Sequence, residues 1–446
     1  MFRLGTSGHD DAAKMRNGLA LAAMVMAALA TTVVAQEPPP APAPLSLAAA
    51  QSAALQQVSA LRQAELDEAT AAEELRQARA ALLPRIRDEF TITYNSHERG
   101  GPPDVPSFIA ANAVHEYQNL TGVAGEFGIA TLATMRRARA LLDAARAGTT
   151  IARLALARGV TEGYYGAALA HAKRAAAEQS LAAAEEFERV TRLNFDAGEV
   201  PEVDWIRARL QTAARRDDVL QAREAEAVAN VGLATLLGAD VSTAPSIEPL
   251  PQTIDASVLE TFTPAGVARR PELVQANAQL QAARAGVGVA RGELLPRITY
   301  SLDRGFDSDS LLADALKQHR GTLATALVDV PLFDWGITAS KIREAQLARR
   351  AAEAQRELTS RGLYVEYATA REEAVTAAAR VDNARQALAD AERNVTISVA
   401  RYRAGEAPIS EATDAQTTRA QQRLTLQQAL FDWQLALAHL REAAGE

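Results

Sequence analysis

Ala290-Arg291-Gly292-Glu293-Leu294-Leu295-Pro296-Arg297-Ile298 has a near copy at Ala78-Arg79-Ala80-Ala81-Leu82-Leu83-Pro84-Arg85-Ile86. The copies lie almost half of the 446-residue chain apart, so the chain reads as two similar halves and not as a short-period solenoid. In each copy an Ala-rich, helix-like run meets proline. Proline cannot extend the helix behind it, and the residue before it is pushed out of the helical region. Beyond Pro84 and Pro296 the residues alternate apolar and polar. Both copies therefore predict a helix that turns directly into a β-strand, with the prolines as helix–strand junctions.

Working outward, Leu45–Leu82 reads as one helix. Ile86, Phe90, Ile92 and Tyr94 then alternate with polar residues, Asp88 being the exception. That period of two predicts a strand wet on one side. His97–Val114 is rich in Gly and Pro and reads as a loop, and Leu120–Thr131 as a second strand. From Leu132 to Leu193 there is no proline and the pattern is helical. Asp196-Ala197-Gly198-Glu199-Val200-Pro201 breaks it, with Gly past one helix end and Pro at the next start. A second helix runs to Leu237. The second half repeats the plan: a helix from Arg270-Pro271, a strand from Ile298, an acidic loop over 304–321, and a strand over Thr322–Phe333. A helix over Gly336–Tyr402 follows, then the turn Ala404-Gly405-Glu406-Ala407-Pro408 and a last helix. That last helix carries Leu426, Leu430, Trp433, Leu437 and Leu440 in a coiled-coil seam. The organisation expected is a first repeat over 45–240, a Pro-bearing linker over 241–264, and a second repeat over 265–446. Each half can supply one continuous helical rod and one broken rod of equal length, with strands at one end and the Ala-Gly-Glu turns at the other.

Composition narrows the function. There are no cysteines, so neither disulfides nor a thiolate metal site is possible. The formal charge of -8 argues against a nucleic-acid partner. Residues 1–35 read as a secretory signal: Lys14 and Arg16 precede the apolar run Gly18–Ala30, and Val33-Val34-Ala35 offers a small-residue cleavage site. Residues 36–44 form a Pro-rich leader. No later stretch is apolar enough for a membrane helix, so a crossing would need a barrel. Four strands cannot close one alone, and open edges are not tolerated in lipid. Several copies must then share a barrel, and three copies give 12 strands, within the range of outer-membrane barrels. The histidines show no ligand spacing, and no nucleotide loop or nucleophile motif is present, so neither a metal, a cofactor nor an enzyme activity is expected.

At this point the chain resembles the TolC family of outer-membrane efflux and secretion channels, over residues 45–443. The residues that carry the resemblance are the twice-used Leu-Leu-Pro-Arg-Ile junction and Arg270-Pro271-Glu272-Leu273. Val330-Pro331-Leu332-Phe333-Asp334-Trp335-Gly336 and the two turns add to it. Phe127-Gly128-Ile129-Ala130 stands where the second half has Pro331-Leu332-Phe333-Asp334, so the two strand-to-helix corners should differ. The resemblance implies a mainly α protein with a membrane β-barrel: a homotrimer in the outer membrane of a Gram-negative bacterium, in contact with outer-membrane lipid. A 12-stranded barrel would continue into a periplasmic tunnel of coiled-coil hairpins. It further implies an exit duct joined through a periplasmic adaptor to an inner-membrane pump of RND or ABC type. The competing class is a periplasmic coiled-coil scaffold or adaptor without a pore; the strand–loop–strand units speak against it.

The resemblance also assigns residues. In the family, acids after each turn glycine narrow the pore, which implies Asp204 in the first hairpin and Glu411 and Asp414 in the second. An aromatic three residues before the glycine joins the closing network, implying Phe195 and Tyr402. Of these only Tyr402 has a hydroxyl to donate. Ala407 stands where the family's well-known channel has a latch arginine. Ala197-Gly198-Glu199 and Ala404-Gly405-Glu406 are implied as adaptor-docking tips. The plainer alternatives are that the acids are first-turn residues favoured by the helix dipole and that the glycines serve backbone geometry alone.

Overall fold

A computed structural model describes residues 44–57, 59–96, 113–242 and 245–445. The expected signal peptide, all of the leader but Pro44, and most of the first loop lie outside these residues. Leu45–Glu446 make one compact unit. Its elements are α1 (Leu47–Ala54), α2 (Ala60–Ala80), β1 (Arg85–Tyr94), β2 (His115–Phe127), α3 (Ile129–Asp196) and α4 (Glu202–Leu237). There follow α5 (Pro271–Gly292), β3 (Arg297–Ser308), α6 (Ala313–Gln318), β4 (Arg320–Asp329), α7 (Ile337–Arg403) and α8 (Ile409–Ala443). The unit is mainly helical with one four-stranded antiparallel sheet, as expected.

The long rods are α3 and α7, of 68 and 67 residues, about 100 Å each at 1.5 Å per residue. α3 packs along α2, α4, α5 and α8, and α7 along α5 and α8. Much of the buried surface on these rods is alanine, which costs no side-chain entropy on helix formation and lets helix axes approach closely. The seam expected on α8 is the centre of the largest core: Leu430, Trp433, Leu437 and Leu440 are buried against Val381 and Ala374 of α7, with Leu426 at its edge.

Both Leu-Leu-Pro stretches turn as expected. The Leu82 and Leu83 amides donate to the Arg79 and Ala80 carbonyls at 3.1 and 3.0 Å, and those of Leu294 and Leu295 to Arg291 and Gly292 at 3.1 Å. Each helix thus tightens to i→i+3 bonding, and a strand begins on the residue after Pro84 or Pro296. The strands pair in the order β1-β2-β3-β4, so β1 and β4 have unpaired outer edges among the described residues. Register rows alternate between faces: Arg87, Gly122 and Asp303 share one, and Ile86, Val123 and Leu302 the other. Over β1, β2 and β3 the first of these faces is mostly polar, carrying Arg85, Arg87, Glu126, Thr299, Ser301 and Asp303, while Leu323 and Leu327 of β4 share its rows. Asp88, the exception on the apolar face, accepts hydrogen bonds from the side chains of Asn119 and Thr121 on the next strand. A carboxylate is tolerated there because its neighbours satisfy it.

Several expectations are corrected. The single helix over Leu45–Leu82 is two helices. After Ala54 the amides of Gln56 and Gln57 reach only to Ala53 and Ala54, at 3.1 Å each, and helix resumes at Ala60. Two packing demands set the break: Ala50 and Ala54 are buried against Tyr164, Leu233 and Leu237, whereas Leu75 of α2 packs on Leu142. The second strand lies at 115–127, not 120–131, because its N-terminal half pairs with Ile92, Thr93 and Tyr94 and Ile129 already belongs to α3. His115 is the first residue of this strand, its ring 5.3 Å from that of Tyr94. The loop over 304–321 is mostly strand plus the short α6, since Phe306 and Ser308 pair with Asn119 and Tyr117. β4 ends at Asp329, four residues early, because Pro331 has no amide hydrogen to donate.

The stretch between the repeats is a packed belt. Leu250, Leu259, Phe262 and Val267 are buried in the main core, and Tyr367 donates to the Phe262 carbonyl at 3.0 Å. Leu45 is stitched to it: its amide donates to Ser246 at 2.7 Å, and its carbonyl accepts from Tyr164 Oη at 2.8 Å.

Candidate functional site

The two Ala-Gly-Glu turns close α3 onto α4 and α7 onto α8 at the helix ends remote in sequence from the strands. Both are Schellman motifs. Gly198 N donates to Phe195 O at 2.9 Å and Glu199 N to Asn194 O at 2.8 Å; Gly405 N donates to Tyr402 O at 3.0 Å and Glu406 N to Arg401 O at 2.9 Å. The glycines have φ of 77° and 73°, the left-handed conformation that costs glycine least. Pro201 and Pro408 then cap the following helices in extended conformation. Ala197, Gly198, Glu199, Ala404, Gly405 and Glu406 are all exposed.

Just inside the turns the two hairpins meet. Phe187, Ala208, Tyr402, Ile409 and Ala412 form a small buried cluster. The Tyr402 hydroxyl donates to Asp204 Oδ2 at 3.2 Å, from one hairpin to the other, and its ring lies 5.8 Å from that of Phe187. About two turns further along α4, Gln211 Nε2 donates to Gln416 Oε1 at 3.2 Å. Burial first, and then the Asp204 carboxylate, push the Tyr402 hydroxyl up to about 12 from its ordinary 10.0. The neutral phenol is the form this site favours. Its stabilising contribution is complete below about pH 10 and is lost as pH rises towards 12. If the tips gate a pore, bilayer conductance is expected to stay flat from neutral pH to about 10 and to rise above it, and Tyr402→Phe should abolish that rise.

The remaining candidates separate. Glu411 is paired inside its own hairpin with Arg401 Nη1, a cation contributed by the last turn of α7. Asp414 is exposed, and its backbone carbonyl accepts from Thr418 Oγ1 at 2.9 Å. Asp204 and Glu411 sit in first helical turns, where the dipole favours an acid; Asp414 lies beyond that turn, so the dipole does not account for it. Phe195 takes no part in the Tyr402 network. It stacks on Trp205 with ring centres 5.7 Å apart and planes at 11°. The Arg192 and Arg209 guanidinium groups lie 5.6 and 5.1 Å from the Trp205 ring centre. Sequence reasoning missed Arg401, Trp205 and Phe187. The signal for Trp205 was its place one residue after Asp204, and for Phe187 its spacing eight residues before Phe195. Nothing in the spacing marked Arg401.

The profile of the outer membrane efflux protein (OEP) family matches residues 50–239 and 266–446. The chain belongs to the outer membrane efflux protein family. Membership makes it an outer-membrane protein. Two relatives are the pyoverdine export outer membrane protein OpmQ of Pseudomonas putida and protein CyaE of Bordetella pertussis. OpmQ is 27% identical over 281 residues, 62% of this chain and 58% of OpmQ. CyaE is 30% identical over 229 residues, 50% of this chain and 47% of CyaE. The chain thus spans about half the length of these curated relatives. Among solved structures, the outer membrane protein VceC of Vibrio cholerae superposes with a TM-score of 0.79 at 21% identity, covering 90% of this chain and 96% of VceC. The Campylobacter jejuni outer membrane channel CmeC gives 0.76 at 18% identity, covering 90% and 85%. These two likenesses bear on fold.

Proposed function

We propose that this protein is the exit duct of a tripartite efflux pump or type I secretion system, conducting passively what an inner-membrane pump delivers. The observation that carries this reading is the sheet. Its strands are 10 to 13 residues long, enough to cross a bilayer when tilted. One face is mostly polar over β1 to β3, and the outer edges of β1 and β4 are unpaired among the described residues. Unpaired edges in lipid demand partners, and three copies close a barrel whose lumen is the more polar face. The repeats 45–240 and 265–446 each supply two strands and one hairpin to it. A scaffold without a pore would have no use for such a sheet. The protein is expected to run as a trimer in mild detergent and as a monomer after heating. A species that sediments as a monomer with intact β-structure would refute the shared barrel.

At the other end of the rods, Tyr402, Asp204 and Asp414 narrow the pore, the first two as a bond between hairpins, the third as a ring of exposed charge. Glu411 is the weaker member because Arg401 neutralises it. Phe195 acts indirectly, bracing Trp205. The exposed turn residues dock a periplasmic adaptor, which joins the duct to an RND or ABC pump. Tyr402→Phe removes a hydrogen bond to a carboxylate, an interaction worth about 1.5–3 kcal/mol, and is expected to raise basal conductance about tenfold or more. Asp414→Ala should lower cation selectivity, since a ring of like charges favours counter-ions, while Glu411→Ala should change it less. Equal selectivity in wild type and Asp414→Ala planar-bilayer recordings would place the filter elsewhere.

A further inference from the structure

Among the described residues, the side-chain pairs that bond from the α3–α4 hairpin to the α7–α8 hairpin include an ionisable group, as in Tyr402–Asp204, Arg423–Gln179 and Lys173–Gln428. Gln211 and Gln416 are the exception, two neutral amides 3.2 Å apart. Their surroundings are small and apolar. Gln416 is buried, and so are Ala208, one turn before Gln211, and Ala412, one turn before Gln416. Beside Gln211 the fully buried Thr212 donates through Oγ1 to the Ala184 carbonyl at 3.3 Å and to that of Ala208 at 3.2 Å, which braces α4 on α3.

Chemistry fixes which way the Gln211 amide points. Its Nε2 donates to Gln416 Oε1 and, at 3.4 Å, to the Thr413 carbonyl, and a carbonyl can only accept. The NH2 end therefore faces α8, which turns Oε1 away from it. That oxygen is buried and has no partner. A buried acceptor left unpaired costs as much as a neutral hydrogen bond returns, or more, whereas replacing both partners by apolar groups of the same shape can be stabilising. Two apolar side chains would thus shut this seam more firmly than the two amides do. The pair sets the register of the hairpins where they meet but holds them weakly, and separation returns Oε1 to water.

We infer that Gln211 and Gln416 form a release latch: a charge-neutral bond that aligns the hairpins when the duct is shut and, through the unpaired Oε1, lowers the cost of parting them. The latch rests on the reading of the hairpin ends as the narrow end of the duct. Unlike the Tyr402–Asp204 bond it answers to neither salt nor pH, since amides carry no charge to screen and do not titrate. Conductance is read in planar bilayers on the Tyr402→Phe background, in which the shut state is already weakened. Gln416→Ala takes the acceptor from a donor that stays behind, and is expected to raise conductance roughly three- to tenfold. Gln211→Asn keeps the amide but draws it back from Gln416; it is expected to act in the same direction, and it replaces Gln416→Ala if that variant fails to assemble. Gln211→Met combined with Gln416→Met removes the unpaired oxygen along with the bond, and is expected to lower conductance about threefold or more below the background. These ratios are expected to be the same at low and high salt, and at neutral and mildly alkaline pH. Heat-sensitive trimers and unchanged helical circular dichroism show that each variant is assembled. Unchanged conductance in both Gln416→Ala and Gln211→Asn overturns the latch. A double methionine variant that conducts as much as its background, or more, overturns the role of the unpaired oxygen. Ratios that follow salt or pH assign the effect to the charged ties instead. Absence of conductance in every protein, Tyr402→Phe included, removes the duct; conductance that rises with Tyr402→Phe but ignores the glutamines removes the latch alone.

Discussion

Gly198→Trp and Gly405→Trp are each expected to reduce export to background while the protein still folds and assembles. The structure separates the two consequences. A side chain built at either glycine meets nothing within 4 Å, so the indole projects into open space from the outside of the turn. The cost to the fold is the left-handed backbone, about 1–2 kcal/mol for a non-glycine residue, and it falls on a turn far along the rods from the sheet. If the turns dock an adaptor, as proposed, the cost to docking is larger, because a partner fitted to a bare backbone turn meets a bulky ring. The measurement pairs an export or drug-resistance assay with the heat-sensitive trimer on gels. Wild-type export by the double substitution would show that the tips serve chain reversal only. Loss of the trimer together with loss of export would show that the turns matter for folding instead.

The double substitution Glu272→Gln with Glu366→Gln is expected to destabilise the helical unit more than Arg270→Met does. Arg270 is 3% exposed and reaches Glu272 and Glu366 at 2.8 Å each. Its paired carboxylates raise its affinity for the proton, against a burial effect that lowers it. Taking both counter-charges away strands a buried guanidinium, an event that costs roughly 3–5 kcal/mol in proteins. Glu366 is half-exposed and glutamine can still accept a hydrogen bond, so the lower end of that range applies. Replacing the cation itself with an apolar side chain of similar length is often near neutral. Denaturant midpoints for the three proteins decide it; if Arg270→Met proves the more damaging, the arginine acts through packing and not through its pairs.

Much of this was readable from one proline-bearing repeat. Pro84 and Pro296 act through local sterics, so their effect is visible without any partner, and the alternation beyond them shows the wet and dry faces of β1 and β3. The turn glycines were equally plain, because the Schellman motif is written within six residues. The breaks that were misread are tertiary in origin. Nothing local ends the helix after Ala54; competing packing surfaces on α3 and α4 do. The N-terminal half of β2 and the far end of β3 are held by pairing to strands distant in sequence. At the site, Tyr402 and Asp204 came from a resemblance, and the structure brings them into one bond. Arg401 escaped because it occupies a position ten residues before Glu411 that no periodicity links to it.

The belt at the middle of the helical unit has a consequence for the order in which the chain can assemble. Leu45 is held by Ser246 and Tyr164, and the Gly266 backbone lies against the Ala444 carbonyl. The first contact waits for some two hundred further residues to be made, and the second joins Gly266 to Ala444, at the far end of α8. Closing loops of that size slows folding. Neither repeat can therefore finish as it emerges. The first hairpin can form early, because α3 and α4 are neighbours in sequence, but the joint that ties it to the second is available only once α7 and α8 have been made. Until then the apolar faces of the strands have no barrel and the belt has no closure. A chain in this condition depends on being shielded from aggregation, and variants that weaken the belt should show first as lower yield of assembled protein, ahead of any loss of conduction per molecule.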